Sequence, residues 1–103
     1  MVKILREHDE AVEQVGAALE EYEAENPGAE CSVYRYNPAS IRVKVVDSGF
    51  HGRSKGERHD HAWRFLQRLP EDVLSQISVL LCLDHGEPSF LDGEFQESAR
   101  MIA

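Results

Sequence analysis

The chain has 103 residues, of which 42% are hydrophobic and 29% are charged, and its formal net charge at pH 7 is −8. This length predicts one domain over 1–103, and this composition excludes wholesale disorder. No run approaches the length of a membrane-spanning helix, and the first residues lack the apolar core of a secretory signal. We therefore expect a cytoplasmic protein without a membrane partner.

The first predicted element is an amphipathic helix from about His8 to Glu25. The run Asn26-Pro27-Gly28 predicts its end, because proline lacks an N–H donor and glycine tolerates a left-handed cap. Apolar side chains at steps of three and four residues form one face of this helix. They are Val12, Val15, Leu19 and Tyr22.

Two strands are predicted next, over Cys31–Tyr36 and Ile41–Val46, because both segments alternate and are rich in residues that suit a pleated sheet. In the second strand, apolar residues alternate with Arg42 and Lys44, which predicts that these two cations lie on an exposed face. The connection over 37–40 is short, so we expect an antiparallel hairpin.

A second main helix is predicted to begin after Ser54, which stands three residues before Glu57 in the spacing of a capping box. This helix extends to about Leu69, and Pro70 suits the first turn of another, short helix. The segment Ile77–Leu83 is apolar enough to be a central strand with both faces covered.

A last amphipathic helix is predicted on the spacing of Leu91, Phe95, Ala99 and Ile102. The element order is then α-β-β-α-α-β-α, which predicts the α+β class with helices packed on a three-stranded sheet. Three further side chains at the centre of the chain are expected in its core, namely Phe50, Phe65 and Leu66.

No catalytic signature is present: the chain has no GxSxG elbow, no Walker glycine loop and no HExxH helix, so we predict that it is not an enzyme. Cys31 and Cys82 fall in predicted strands, where a cysteine is usually a small buried hydrophobe. His59 and His61 are two residues apart and so face different sides of a helix. We expect no metal and no cofactor.

Charge is unevenly distributed along the chain. The segment 31–68 has a net charge of +5, between segments of −7 over 1–30 and −6 over 69–103. The basic centre either pairs with the acidic helices of its own domain or receives an anionic partner. The candidate residues for binding a partner or an anion are Arg42, Lys44, Gly52, Arg53, Lys55, Arg58 and His59.

In the segment 45–59, Phe50, Gly52, Arg58 and His59 follow a predicted strand and open a predicted helix. Their spacing resembles the F-x-G-x5-R-H run of the BolA family. The detailed resemblance covers about 41–66, and the predicted element order is similar to the family's class II KH-like fold over most of the chain. The resemblance implies a BolA-like domain that docks on another protein, with a glutaredoxin-like partner as the family's example.

The chain departs from the family where BolA proteins hold ligands. They can share a [2Fe–2S] cluster with monothiol glutaredoxins through a histidine or cysteine in the loop between the first two strands, but here the loop over 37–40 contains neither. Ser78 stands where a second family histidine precedes the last strand, and Asp60 replaces the last arginine of the family's R-H-R. Serine does not replace imidazole on iron, so we expect no cluster.

Two functions remain open. The first, which we favour, is a non-catalytic adaptor or regulatory domain that binds another protein; a role as glutaredoxin partner in iron–sulfur handling is less favoured. The alternative is a regulator that binds nucleic acid through the basic turn over 50–59. The overall charge of −8 opposes this alternative. In addition, the stretch from Gly52 to Gly56 is one residue longer than the G-x-x-G loop with which KH domains clamp RNA.

Overall fold

The computed structural model describes residues 1–88, which form an α+β fold, as predicted. The predicted helix at 91–102 lies outside these residues. The elements are, in chain order, β1 (Lys3–Leu5), α1 (Glu10–Glu25), β2 (Glu30–Asn37), β3 (Ser40–Val46), a 3-10 turn (Ser48–Phe50), α2 (Lys55–Leu66), α3 (Glu71–Leu74) and β4 (Ile77–Leu83).

The two long helices, α1 and α2, begin at residues whose side chains accept from free backbone N–H groups, namely Asp9 and Ser54. In α2 the predicted capping box is confirmed: the N–H of Glu57 donates to Ser54 Oγ at 3.2 Å, and the N–H of Ser54 donates to Glu57 Oε1 at 3.0 Å. The helix α2 ends at Leu66, earlier than predicted, although Leu69 still packs against the core. The short helix α3 follows Pro70, as predicted.

The hairpin of β2 and β3 is antiparallel, as predicted, with Cys31 opposite Val45 and Val33 opposite Val43. The strand β4 then lies parallel to β3, with Leu80 beside Val43. Because side chains alternate across a strand, all five of these residues face the same side of the sheet. Helices α1 and α2 cover that side.

The prediction of three strands is wrong, because the described sheet has four strands in the order β1-β2-β3-β4. The additional strand, β1, pairs in parallel with β2 and places Leu5 beside Tyr34. The strand β1 also contacts α1, because Ile4 packs against the helix at Gly16. A Cβ at position 16 would lie 3.0 Å from Ile4 Cδ1, so the absence of a side chain there makes room for Ile4. Three residues are too few to show an alternating pattern, so tertiary pairing makes this segment a strand.

The position predicted for β4 is also wrong. Within residues 1–88 it pairs with β3 alone and forms an edge of the sheet rather than its centre. The predicted contact of both faces with apolar side chains is found, however, and it accounts for the apolar density of the strand. Leu80 and Cys82 pack against the main core, while Val79 and Leu81 pack on Tyr34 at the opposite face.

The main core lies between the sheet and the helices α1 and α2. The prediction that Phe50, Phe65 and Leu66 belong to it is confirmed, since they are 0%, 7% and 0% exposed. Phe65 meets the ring of Tyr22 edge to face, with centroids 5.2 Å apart.

One arginine joins three distant segments at one end of the sheet. The guanidinium of Arg35, on β2, donates to both carboxylate oxygens of Asp9, which also caps α1. It donates to the carbonyl oxygens of Asn37 and Pro38 in the hairpin turn, and to Gln76 Oε1, just before β4, at 2.8 Å. Every nitrogen of this guanidinium is thus engaged.

Candidate functional site

The predicted site residues on β3 lie on the sheet face opposite the helices. The guanidinium of Arg42 stacks on the ring of Tyr36, 3.6 Å from its centroid, and donates to the hydroxyl of Tyr34 at 3.2 Å. Lys44 is on the same face and lines a cavity with Lys3 and Ser32. This face holds a second apolar cluster around the fully buried Tyr34, so the prediction of a simply exposed strand face is wrong.

The turn between β3 and α2 is held by a buried aspartate. Asp47 is 5% exposed, and its Oδ2 accepts a hydrogen bond of 2.6 Å from the hydroxyl of Tyr22 on α1. Its Oδ1 accepts from the N–H of Gly49 at 2.9 Å. With Phe50 buried beneath the turn, these contacts position the chain that leads into α2.

The two glycines of the basic segment have different surroundings. Gly52 has a φ of 77°, in the left-handed region that glycine adopts without strain, and it precedes the exposed Arg53. Gly56 lies inside the first turn of α2. The glycines therefore do not bracket a loop of the kind that clamps an RNA backbone.

Arg58 is largely buried and joins α2 to the end of β4. Its Nε donates to the carbonyl oxygen of Arg53 at 3.1 Å, and its Nη1 donates to the carbonyl oxygen of Cys82 at 3.3 Å. The same Nη1 lies 2.6 Å from Glu87 Oε1 in an ion pair. These partners hold the Nε and Nη1 of the guanidinium and balance its charge, so Arg58 stabilises the site rather than offering a free cation to a ligand.

The remaining basic residues of the segment are exposed. Arg53 and Lys55 make no ion pair within residues 1–88. The ring of His59 stacks on Trp63, with centroids 5.7 Å apart and planes inclined by 18°. Lys55 and His59 are four residues apart on α2 and therefore share one side of the helix.

That side of α2 forms one wall of a groove along β4, here called the α2–β4 groove. Its volume is about 360 Å³. Lys55 and His59 lie on the helix wall, and Leu80 and Cys82 on the strand side. The full lining is Lys55, Arg58, His59, the β4 residues 80–83, Glu87 and Pro88.

Acidic residues close the groove at the carboxyl end of β4. The backbone N–H of Asp84 donates to Glu87 Oε1 at 2.7 Å, and this bond and that from Arg58 lower the pKa of the Glu87 carboxyl. The imidazole of His51, 2.8 Å from Asp84 Oδ2, lowers the pKa of the Asp84 carboxyl. The cation of Arg58 is thus neutralised at this end.

Neither cysteine is arranged as a nucleophile. Burial raises the pKa of the Cys82 thiol to about 12, and it raises that of Cys31 as well. Both thiols are therefore protonated near neutral pH. Both are also unbridged, and they lie on either side of Val45 in the sheet.

The three histidines of the central segment, His51, His59 and His61, contact different residues. His61 Nε2 is 3.0 Å from Asn26 Oδ1 and its ring packs edge to face on Tyr22, whereas His51 faces Asp84 and His59 faces Trp63. No group of three potential ligands that could hold a metal ion occurs among residues 1–88. Ser78 lies at the start of β4, with its hydroxyl 3.5 Å from the carbonyl oxygen of Ile41.

The structure brings together only part of the predicted site. Lys55, Arg58 and His59 line one groove, and Arg53 lies in the preceding turn, but Arg42 and Lys44 lie on the opposite sheet face. Sequence reasoning missed the strand side of the groove and the ion pair that closes it. The apolar run over 77–83 predicts a strand, but nothing in it indicates that this strand lies at the edge of the sheet.

Comparisons with protein-family models, with curated proteins and with solved structures give no match to this chain. Among the residues that the structure describes, no helix is long and apolar enough to cross a membrane.

Proposed function

We propose that this chain is a non-catalytic, BolA-like regulatory adaptor that acts in the cytoplasm, and that it docks on a partner protein through the α2–β4 groove. The observation that carries the proposal is incomplete coverage of β4. Leu80 and Cys82 face the helices but are only partly buried, whereas Val43 and Val45 beside them on β3 are 0% exposed. Apolar surface next to exposed cations suits a protein interface.

The order of elements supports the BolA-like part of the proposal. A helix, a hairpin, a second long helix, a short helix and a further strand follow one another from α1 to β4, as the resemblance implies. The strand β1 is an addition to that order. The β2–β3 turn and Ser78 offer no imidazole or thiolate, so we propose docking without a shared iron–sulfur cluster.

Site-specific photo-crosslinking tests the proposal. A photoreactive amino acid at His59, in the groove, is compared with one at Glu13, which is exposed on α1. We expect a protein adduct from position 59 that nuclease treatment does not remove, and none of that size from position 13. Adducts that form equally from both positions, or that consist only of nucleic acid, would contradict the proposal.

Nucleic-acid binding is the second candidate, and it is favoured by the exposed cations Arg53 and Lys55, which make no ion pair within residues 1–88. Because Arg58 is paired, two phosphate contacts are available in this turn. By counterion release they give a log–log salt slope of roughly −1.4 to −1.8. Fluorescence anisotropy with labelled RNA and DNA measures this slope. Submicromolar binding at physiological salt that Arg53→Ala with Lys55→Ala abolishes would favour this candidate over the adaptor.

A further inference from the structure

The outer edge of β4 carries backbone groups that residues 1–88 leave without partners. The N–H of Asp47 donates to the carbonyl oxygen of Leu83 at 2.9 Å, so the backbone groups of Leu83 point toward β3. Successive residues of a strand direct their N–H and C=O groups to opposite edges, so those of Leu80 and Cys82 point outward.

The contacts of Arg58 agree with this direction. Its Nη1 reaches the carbonyl oxygen of Cys82 from the outer side, at 3.3 Å. The N–H and C=O of Leu80 and the N–H of Cys82 then remain without a hydrogen-bond partner in the described part of the chain. An unpaired strand edge of this kind is a template for another strand.

We infer that the partner supplies an extended acidic segment, which adds to the outer edge of β4 as a further strand. This inference rests on the proposed function and names the chemistry of the docked segment. The backbone of the segment bonds the free groups of Leu80 and Cys82, which gives affinity without regard to sequence. The ion pair of Arg58 and Glu87 ends the available edge at its carboxyl end.

The surroundings of the edge select acidic side chains. Alternate side chains of an added strand point toward α2, where they meet the exposed Lys55 and His59 above Leu80. Lys55 makes no ion pair within residues 1–88, and neither does Arg53, which lies two residues before it. Carboxylates on the α2 side of the segment complement these cations. A nucleic acid has phosphates but no peptide backbone to pair with the strand.

The test uses a short synthetic peptide in which glutamate and valine alternate, added to the full chain labelled for NMR. We expect saturable shifts of the Leu80 and Cys82 amide signals and slower hydrogen exchange at both amides. A peptide of the same sequence with N-methylated backbone amides keeps the side chains but removes strand pairing, so it is expected not to bind. Replacing each glutamate with lysine is expected to abolish binding as well.

Charge reversal in the groove provides the matched protein variants. Lys55→Glu combined with His59→Glu is expected to weaken binding of the glutamate peptide about tenfold, since one exposed cation changes sign and a second negative charge is added beside it. Arg64→Glu is the control, because Arg64 is exposed on the opposite side of α2 and should leave affinity unchanged.

Two results would overturn the inference. One is the absence of saturable shifts at millimolar peptide, and the other is equal binding of the N-methylated peptide. If either occurs while position 59 still crosslinks to a protein, the proposed function stands and strand addition is wrong. If position 59 crosslinks only to nucleic acid, the proposed function itself fails.

Discussion

The two halves of the helix-facing side of the sheet differ in how completely they are covered. On β2 and β3, the side chains of Val33, Val43 and Val45 are 0% exposed, within one buried cluster that also contains Phe50 and the apolar face of α1. On β4, Leu80 and Cys82 face the same side but stay partly exposed, and the groove runs above them. The first half resembles the interior of a domain and the second resembles an interface.

Under the proposed docking, this difference separates the residues that stabilise the fold from those that contact the partner. Free energy of folding grows with the apolar area that is buried, so most of it comes from the half under α1. The half along β4 contributes less, because its side chains are only partly buried. Substitutions in the covered half should therefore mainly lower the free energy of unfolding. Substitutions along β4 should mainly weaken binding of the proposed partner.

The largest expected effect comes from the covered half. Phe65→Ala should lower the free energy of unfolding by about 3–5 kcal/mol, because it leaves a cavity beside Tyr22. Leu80→Ala should cost about 1 kcal/mol, since this side chain is already partly in water. Chemical denaturation measures both values. Equal losses for the two variants would show that the halves are packed alike.

An intermediate loss of stability is expected on replacing Arg58, which connects α2 to the end of β4. Arg58→Met keeps most of the side-chain volume but leaves the carbonyl oxygens of Arg53 and Cys82 without their donor, which should cost about 2 kcal/mol. Arg53→Met, at an exposed position, should change stability by less than about 0.5 kcal/mol. The same denaturation measurement applies. A loss below that of Arg53→Met would mean that Arg58 is available for a ligand.

The smallest effect is a dependence of stability on acid pH. The hydrogen bond from Arg35 lowers the pKa of the Asp9 carboxyl in the folded chain. Its contribution to stability is therefore complete above the ordinary carboxyl pKa of about 4 and is lost as pH falls through the lowered value. Asp9→Asn should flatten thermal stability against pH in this range more than Glu25→Gln, at an exposed position on the same helix. Equal profiles for the two variants would contradict this.

Carboxyl pKa values are also lowered beside β4, in the less covered half. The carboxyls of Asp84 and Glu87 also have lowered pKa values, through His51 and through the backbone N–H of Asp84 respectively. In an Asp9→Asn variant, thermal stability should still fall at acid pH, and part of this remaining fall should come from protonation of Asp84 and Glu87. Adding Glu87→Gln is expected to reduce that remainder.

Local signals made much of the fold predictable from the sequence. The capping box at Ser54, the alternation of β3 and the apolar face of α1 depend on neighbouring residues, and the structure confirms each of them. The strand β1 and the edge position of β4 were not predictable in this way. Both depend on pairing between segments that are distant in the sequence, which composition does not encode.

The candidate site was predictable only on its helix side. Arg53, Lys55 and His59 lie on one short segment at the start of α2, and all three are exposed, whereas Arg58 between them is buried. The strand side and the closing residue Glu87 come from a segment more than twenty residues later in the chain. Arg42 and Lys44 belong to the same basic centre in sequence, yet the sheet separates them from the groove.

The contacts of Arg35 have a consequence for how the molecule opens. Because one guanidinium joins the cap of α1, the hairpin turn and the residue before β4, none of these segments can detach without breaking bonds to the others. We expect their amides to exchange with solvent in a single cooperative event, as one foldon, although they are far apart in sequence.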